Sequence, residues 1–152
     1  MLRVGFLILG LACLAGCFLD SVIGPGYFVR LAVNDAGCTQ TTGFGDFEEV
    51  AVSEGFRKTH SQEDTNFYVL YYRRNLSRGE VSKFHYRFVN IWLSCDYRDK
   101  SLSVTVMNDW EGQQIAAKME IDRLSDRYVD LLEQQYGKGT VTDIRRRTGP
   151  PF

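Results

Sequence analysis

The chain has 152 residues, 44% hydrophobic and 13% aromatic, with a formal net charge of -1. That length suits one domain and leaves no room for a two-domain enzyme of ordinary size. A charge near zero argues against a nucleic-acid-binding protein, and three Pro with 14 Gly exclude a collagenous or Pro-rich stalk.

Residues 1–17 read MLRVGFLILGLACLAGC. Arg3 gives a basic start, and the run that follows to Gly16 carries no charge. This run is too short for a spanning helix, which needs about 20 apolar residues. A basic start before a short apolar stretch is the pattern of a secretory signal. The stretch ends in Leu14-Ala15-Gly16-Cys17. These four residues resemble the lipobox of bacterial lipoproteins. The resemblance concerns processing, not activity, and covers only the N-terminus. It implies cleavage before Cys17, a diacylglyceryl group on its sulfur and further acylation of the palmitate type. Such an anchor holds a protein to the membrane without a spanning helix. In the Gram-negative pattern an Asp directly after the lipidated Cys retains the chain in the inner membrane. Phe18 occupies that position, so the resemblance implies the outer membrane, facing the periplasm. The competing reading is an ordinary signal peptide or uncleaved anchor with an incidental Cys.

The expected organisation is a signal peptide over 1–16, a lipid-anchored tether over 17–26, a single domain over 27–145 and a tail over 146–152. Processing removes Cys13 and acylation consumes Cys17, which leaves Cys38 and Cys95. Two thiols in an oxidising compartment predict a Cys38–Cys95 disulfide. The alternative is a buried Cys95 with a free Cys38. Two Cys and two separated His give no metal-ligand spacing, so neither a metal nor another cofactor is expected.

In chain order, Tyr27 to Val33 reads as a strand, with a helical turn as the competing reading, followed by a loop holding Cys38. Asp46 to Glu54 reads as a short helix capped by Asp46, with Phe47, Val50 and Ala51 on one face. Gly55 supplies a left-handed stop, and Phe56 packs back on the last turn. His60 falls in a polar loop. Asn66 to Arg73, Lys83 to Cys95 and Ser101 to Met107 read as strands. The last two form a hairpin, with Cys95 opposite Val104 and Leu93 opposite Val106. Val89, Ile91 and Leu93 then share a face with Leu102, Val104 and Val106. Residues 114–136 form an amphipathic helix carrying Ala117, Ile121, Leu124, Tyr128, Leu131 and Leu132 at helical spacing. Gly137 ends it, residues 141–144 add a short edge strand, and Arg145 opens a basic tail. This order predicts an α+β fold: a two-layer sandwich with an antiparallel sheet of three to five strands and two helices on one face.

The face opposite the aliphatic one carries Phe84, Tyr86, Phe88 and Trp92. If the helices cover the aliphatic side, at least two of these rings stay partly exposed and offer a partner-binding face. Cross-strand aromatic and Thr pairs also stabilise a solvated sheet face, which is the structural alternative. No GxSxG, HExxH, SxxK or phosphate-loop motif occurs, and His60 and His85 stand apart, so no catalytic residue is assigned. The expectation is a non-catalytic, lipid-anchored envelope protein that binds another envelope protein, touching the membrane through its lipid and no nucleic acid. The alternatives are an immunity or inhibitor lipoprotein directed at a toxin or lytic enzyme, and a small envelope hydrolase.

Overall fold

A computed structural model describes residues 27–75, 88–108 and 115–146, with the side chains of 115–117 and 146 left aside. The strands are β1 (Phe28–Val33), β2 (Arg57–Glu63), β3 (Phe67–Asn75), β4 (Phe88–Asp96), β5 (Ser101–Asn108) and β6 (Thr142–Arg146). The helices are α1 (Gly45–Ser53) and α2 (Ile115–Tyr136). The strands form one antiparallel sheet in the order β2-β3-β4-β5-β1-β6. Both helices pack on the same face, giving the expected α+β sandwich with six strands rather than three to five.

Alternation along the strands builds the core. Val29, Leu31, Leu70, Val89, Ile91, Leu93, Leu102, Val104 and Val106 all point to the helical side and are at most 1% exposed. The central strands β1, β3, β4 and β5 thus put every second residue under the helices. Ile121, Leu124, Tyr128 and Leu132 of α2 meet them at helical spacing. Phe47 and Ala51 of α1 close the same layer, and the Phe47 ring stacks on Tyr128 with centroids 6.5 Å apart. The buried Tyr128 hydroxyl donates to the Phe47 carbonyl at 3.1 Å, so the two helices are joined by a polar contact inside the core. Burial pushes the Tyr128 phenol well above its ordinary pKa.

The stop of α1 is the expected one. Gly55 has φ +80°, its amide donates to Val52, and the Phe56 amide donates to Ala51. These two bonds satisfy carbonyls that the helix end would leave bare. The start differs: Asp46 lies in the first turn and makes no cap bond, and its carboxylate instead accepts from Gln135 of α2 at 3.0 Å.

Three further readings are corrected. In the β4–β5 hairpin Cys95 faces Leu102 and Leu93 faces Val104, two residues from the expected pairing. The shift preserves which face every side chain takes, because the strand period is two. The turn is therefore the four residues Tyr97 to Lys100. Asp96 accepts from the Arg98 amide, Asp99 from the Ser101 amide, and Lys100 takes φ +55°. The segment around His60 is not a loop but the edge strand β2, paired with β3 throughout. Finally, Arg145 is not in a tail: it lies in β6, bonded to Asp143, Asp126 and Asp122.

Candidate functional site

Cys38 and Cys95 form a disulfide with Cα atoms 5.7 Å apart, inside the ordinary range for such bonds. Both residues are buried, and the bridge pins the loop after β1 to the end of β4. Among the described residues, no group of three or more His, Cys, Asp or Glu could hold a metal ion. No described helix is long and apolar enough to cross a membrane. Cys17, Phe84, Tyr86 and His85 lie outside the described residues.

The richest cluster stands on the face away from the helices. Residue pairing places Trp92 of β4 between Tyr71 of β3 and Thr105 of β5. Tyr71 and Trp92 meet edge to face, with centroids 5.3 Å apart. His60 of β2 lies over the other side of Tyr71, stacked at 3.9 Å. A β-bulge after Lys58 puts His60 opposite Tyr71, where unbroken alternation would have put Thr59. The Thr59 hydroxyl donates to the Tyr71 carbonyl at 3.1 Å and fixes that bulge. The Tyr71 hydroxyl donates to Gln62 at 3.1 Å.

Arg73 extends the row. Its Nε donates to Asn90 Oδ1 at 2.9 Å, and its guanidinium lies 4.7 Å from the centre of the Phe88 ring. Phe88, Tyr71 and Trp92 are half-buried, while His60 and Arg73 are exposed. Val69, Ser103, Thr105 and Met107 form a buried floor beside them. The result is a row of ring faces and edges interrupted by a guanidinium and amides. Aromatic and Arg side chains held in fixed geometry suit a protein contact: they offer apolar area at little entropic cost.

Phe88 and Trp92 are the expected members of this face, whereas Tyr71, Arg73 and His60 join it unexpectedly. Alternation in Tyr71-Tyr72-Arg73 carried a signal for the first two. None existed for His60, whose direction depends on the bulge.

On the helical side the chemistry is structural. Glu54 receives Arg123 through two bonds, of 3.1 and 2.6 Å, and is also bonded to Arg127. Arg123 chiefly, against the opposing effect of burial, and then Arg127 hold the Glu54 carboxyl down at about 2. Arg74 is bonded to Glu120, which also pairs with Arg123. Near the start of β1, the Tyr27 hydroxyl donates to Asp122 at 2.5 Å. Burial first, and then the Asp122 charge, push that phenol up to about 12. Tyr72, bonded to Glu48, is raised by burial and by the carboxylate. Each of these groups is engaged in an ion pair or hydrogen bond that ties a helix to the sheet or to the other helix.

Compared with known protein families and curated proteins, the chain matches no family and no curated relative.

Proposed function

We propose that the chain is a lipid-anchored protein of the bacterial envelope, held by acylated Cys17 at the outer membrane and facing the periplasm. In this reading it is a non-catalytic module that binds another envelope protein. The observation that carries the binding reading is the row of Tyr71, Trp92 and Phe88 on the face away from the two described helices, flanked by His60 and Arg73. The lipobox residues Leu14 to Cys17 carry the anchoring. The His60 ring, stacked on Tyr71, widens the row by one more flat, exposed ring.

A photoreactive amino acid at position 71 or 92 of the membrane-anchored chain tests the contact in cells. Discrete protein adducts should form from these positions and not from position 52, an exposed site on α1. Trp92→Ala should weaken an adduct formed from position 71 while costing about 1–2 kcal/mol of stability, less than a fully buried ring would. Equal labelling from position 52, or no adduct from the row, would remove the basis for the binding reading.

A further inference from the structure

Strand register sorts the charges of the sheet by end. Tyr27, where the chain enters β1, shares its end with the start of β2, the finish of β3 and the finish of β6. The charged strand residues at that end are Arg57, Lys58, Arg73, Arg74, Arg145 and Arg146. Asp143 of β6 stands two residues from Arg145 and pairs with it, and no other described strand acid lies near that end. The opposite end carries Glu63, Asp64, Asp96 and Asp99 against Arg98 and Lys100. The acids that the helices bring near the basic end are engaged: Asp126 faces Arg145, and Glu48 is bonded to Tyr72. Glu54 faces Arg123 and Arg127, Glu120 faces Arg74 and Arg123, and Asp122 faces Lys118 and Arg145. The surplus is therefore basic. Arg57 and Lys58 are exposed and make no ion pair among the described residues, and the bond Arg73 makes goes to the neutral Asn90. A chain with a net charge of -1 is thus strongly polarised along its strands.

We infer that this basic end docks on an anionic lipid surface. The inference rests on the acylated Cys17 of the proposed function. The stretch from Cys17 to Tyr27 joins the fold at the basic end and reaches at most about 35 Å when fully extended, so that end always lies within this distance of the membrane. Nine-residue strands such as β3 put the two ends about 30 Å apart. Screening confines electrostatic attraction to about 8 Å at physiological salt. A lipid surface therefore feels one end at a time, attracting the end with Arg57, Lys58 and Arg73 and repelling the end with Glu63, Asp64 and Asp96. Orientation follows: the strands stand on the membrane and the aromatic face is presented sideways to a neighbour.

The test uses the chain from residue 17 onward with Cys17→Ser, which keeps every strand, both helices and the disulfide but carries no lipid. Its partition is measured between vesicles of phosphatidylcholine alone and vesicles of phosphatidylcholine mixed with phosphatidylglycerol. It should prefer the anionic vesicles, and added salt should erase the preference. Arg57→Gln with Lys58→Gln should weaken that binding about thirty-fold, two bases at roughly 1 kcal/mol each. Glu63→Gln with Asp64→Asn, at the far end of the same exposed strand, should not weaken it. Equal partition between the vesicles, or equal loss from both double variants, overturns the docking. Mass analysis of the Cys17 peptide from cells keeps the two claims apart. Acylated Cys17 with no anionic preference sinks the docking and leaves the anchor. An unacylated Cys17 sinks the anchor, and with it the orientation argued here.

Discussion

Glu54 is the residue on which the helical layer is most exposed to pH. It follows the last turn of α1, yet both its guanidinium partners belong to α2, so one carboxylate joins the two helices. Its pKa falls from an ordinary 4.5 to about 2 in the folded chain, chiefly through Arg123 and against the opposing effect of burial. A lowered folded value means the contribution is fully present above the unfolded value. It is then lost as pH falls from about 4.5 through about 2. The arginines are nearly half exposed, which screens the pairs, so the contribution is about 1–2 kcal/mol. Glu54→Gln should cost about that amount at neutral pH and flatten the acid limb of the stability profile. Urea melts across that range check it. An acid limb as steep in the variant as in the parent would assign the loss to other carboxylates.

Among the elements, α1 shows where sequence sufficed and β2 where it did not. The stop of α1 was legible because Gly55 and Phe56 act over a single turn, and their bonds to Val52 and Ala51 follow from local geometry. Gly55→Ala puts a Cβ only 3.6 Å from the Arg74 side chain, an ordinary contact, so the φ of +80° alone decides its cost. That cost should be about 1–2 kcal/mol. Gly43→Ala, with open space and no positive φ, should change stability by less than about 0.5 kcal/mol. Similar urea midpoints for the two variants would refute the left-handed stop. The faces of β4 and β5 were likewise legible, since alternation at period two survives the two-residue shift in pairing. The shift itself was not, because it depends on Asp96 and Asp99 building a four-residue turn. In β2 every residue is exposed, so no apolar alternation marks RKTHSQE as a strand. Its pairing with β3 is decided by backbone bonds and a bulge. That is also why His60, and with it one side of the aromatic row, escaped sequence reading. Charged residues on such an edge oppose pairing with a foreign strand.

Across the whole molecule, the sheet, the two helices and one covalent bond divide the work of holding the fold. The hydrophobic layer between helices and sheet is continuous from Val29 to Leu132. The segment between β1 and α1 has no strand or helix of its own. It is held by Cys38, by Phe44 stacked 5.8 Å from Tyr68, and by the Cys38 amide bonded to Lys100 at 3.3 Å. The disulfide joins residues 57 apart, so in the unfolded chain it closes a long loop. The chain-entropy account assigns about 4 kcal/mol to such a closure. Both Cys side chains are buried beside Leu102 and Phe44, and Cys→Ala at each removes only a sulfur atom. The double variant Cys38→Ala, Cys95→Ala should therefore lose about 3–5 kcal/mol while keeping its circular-dichroism spectrum, because the sheet contacts do not pass through the bridge. Reduction of the parent should reproduce the loss, and the denaturant slope should rise in both cases as the freed chain exposes more surface on unfolding. A loss below about 1 kcal/mol with an unchanged slope would mean that Phe44 and the Cys38 amide already hold the segment. The bridge would then serve to protect two thiols from oxidation rather than to secure the fold.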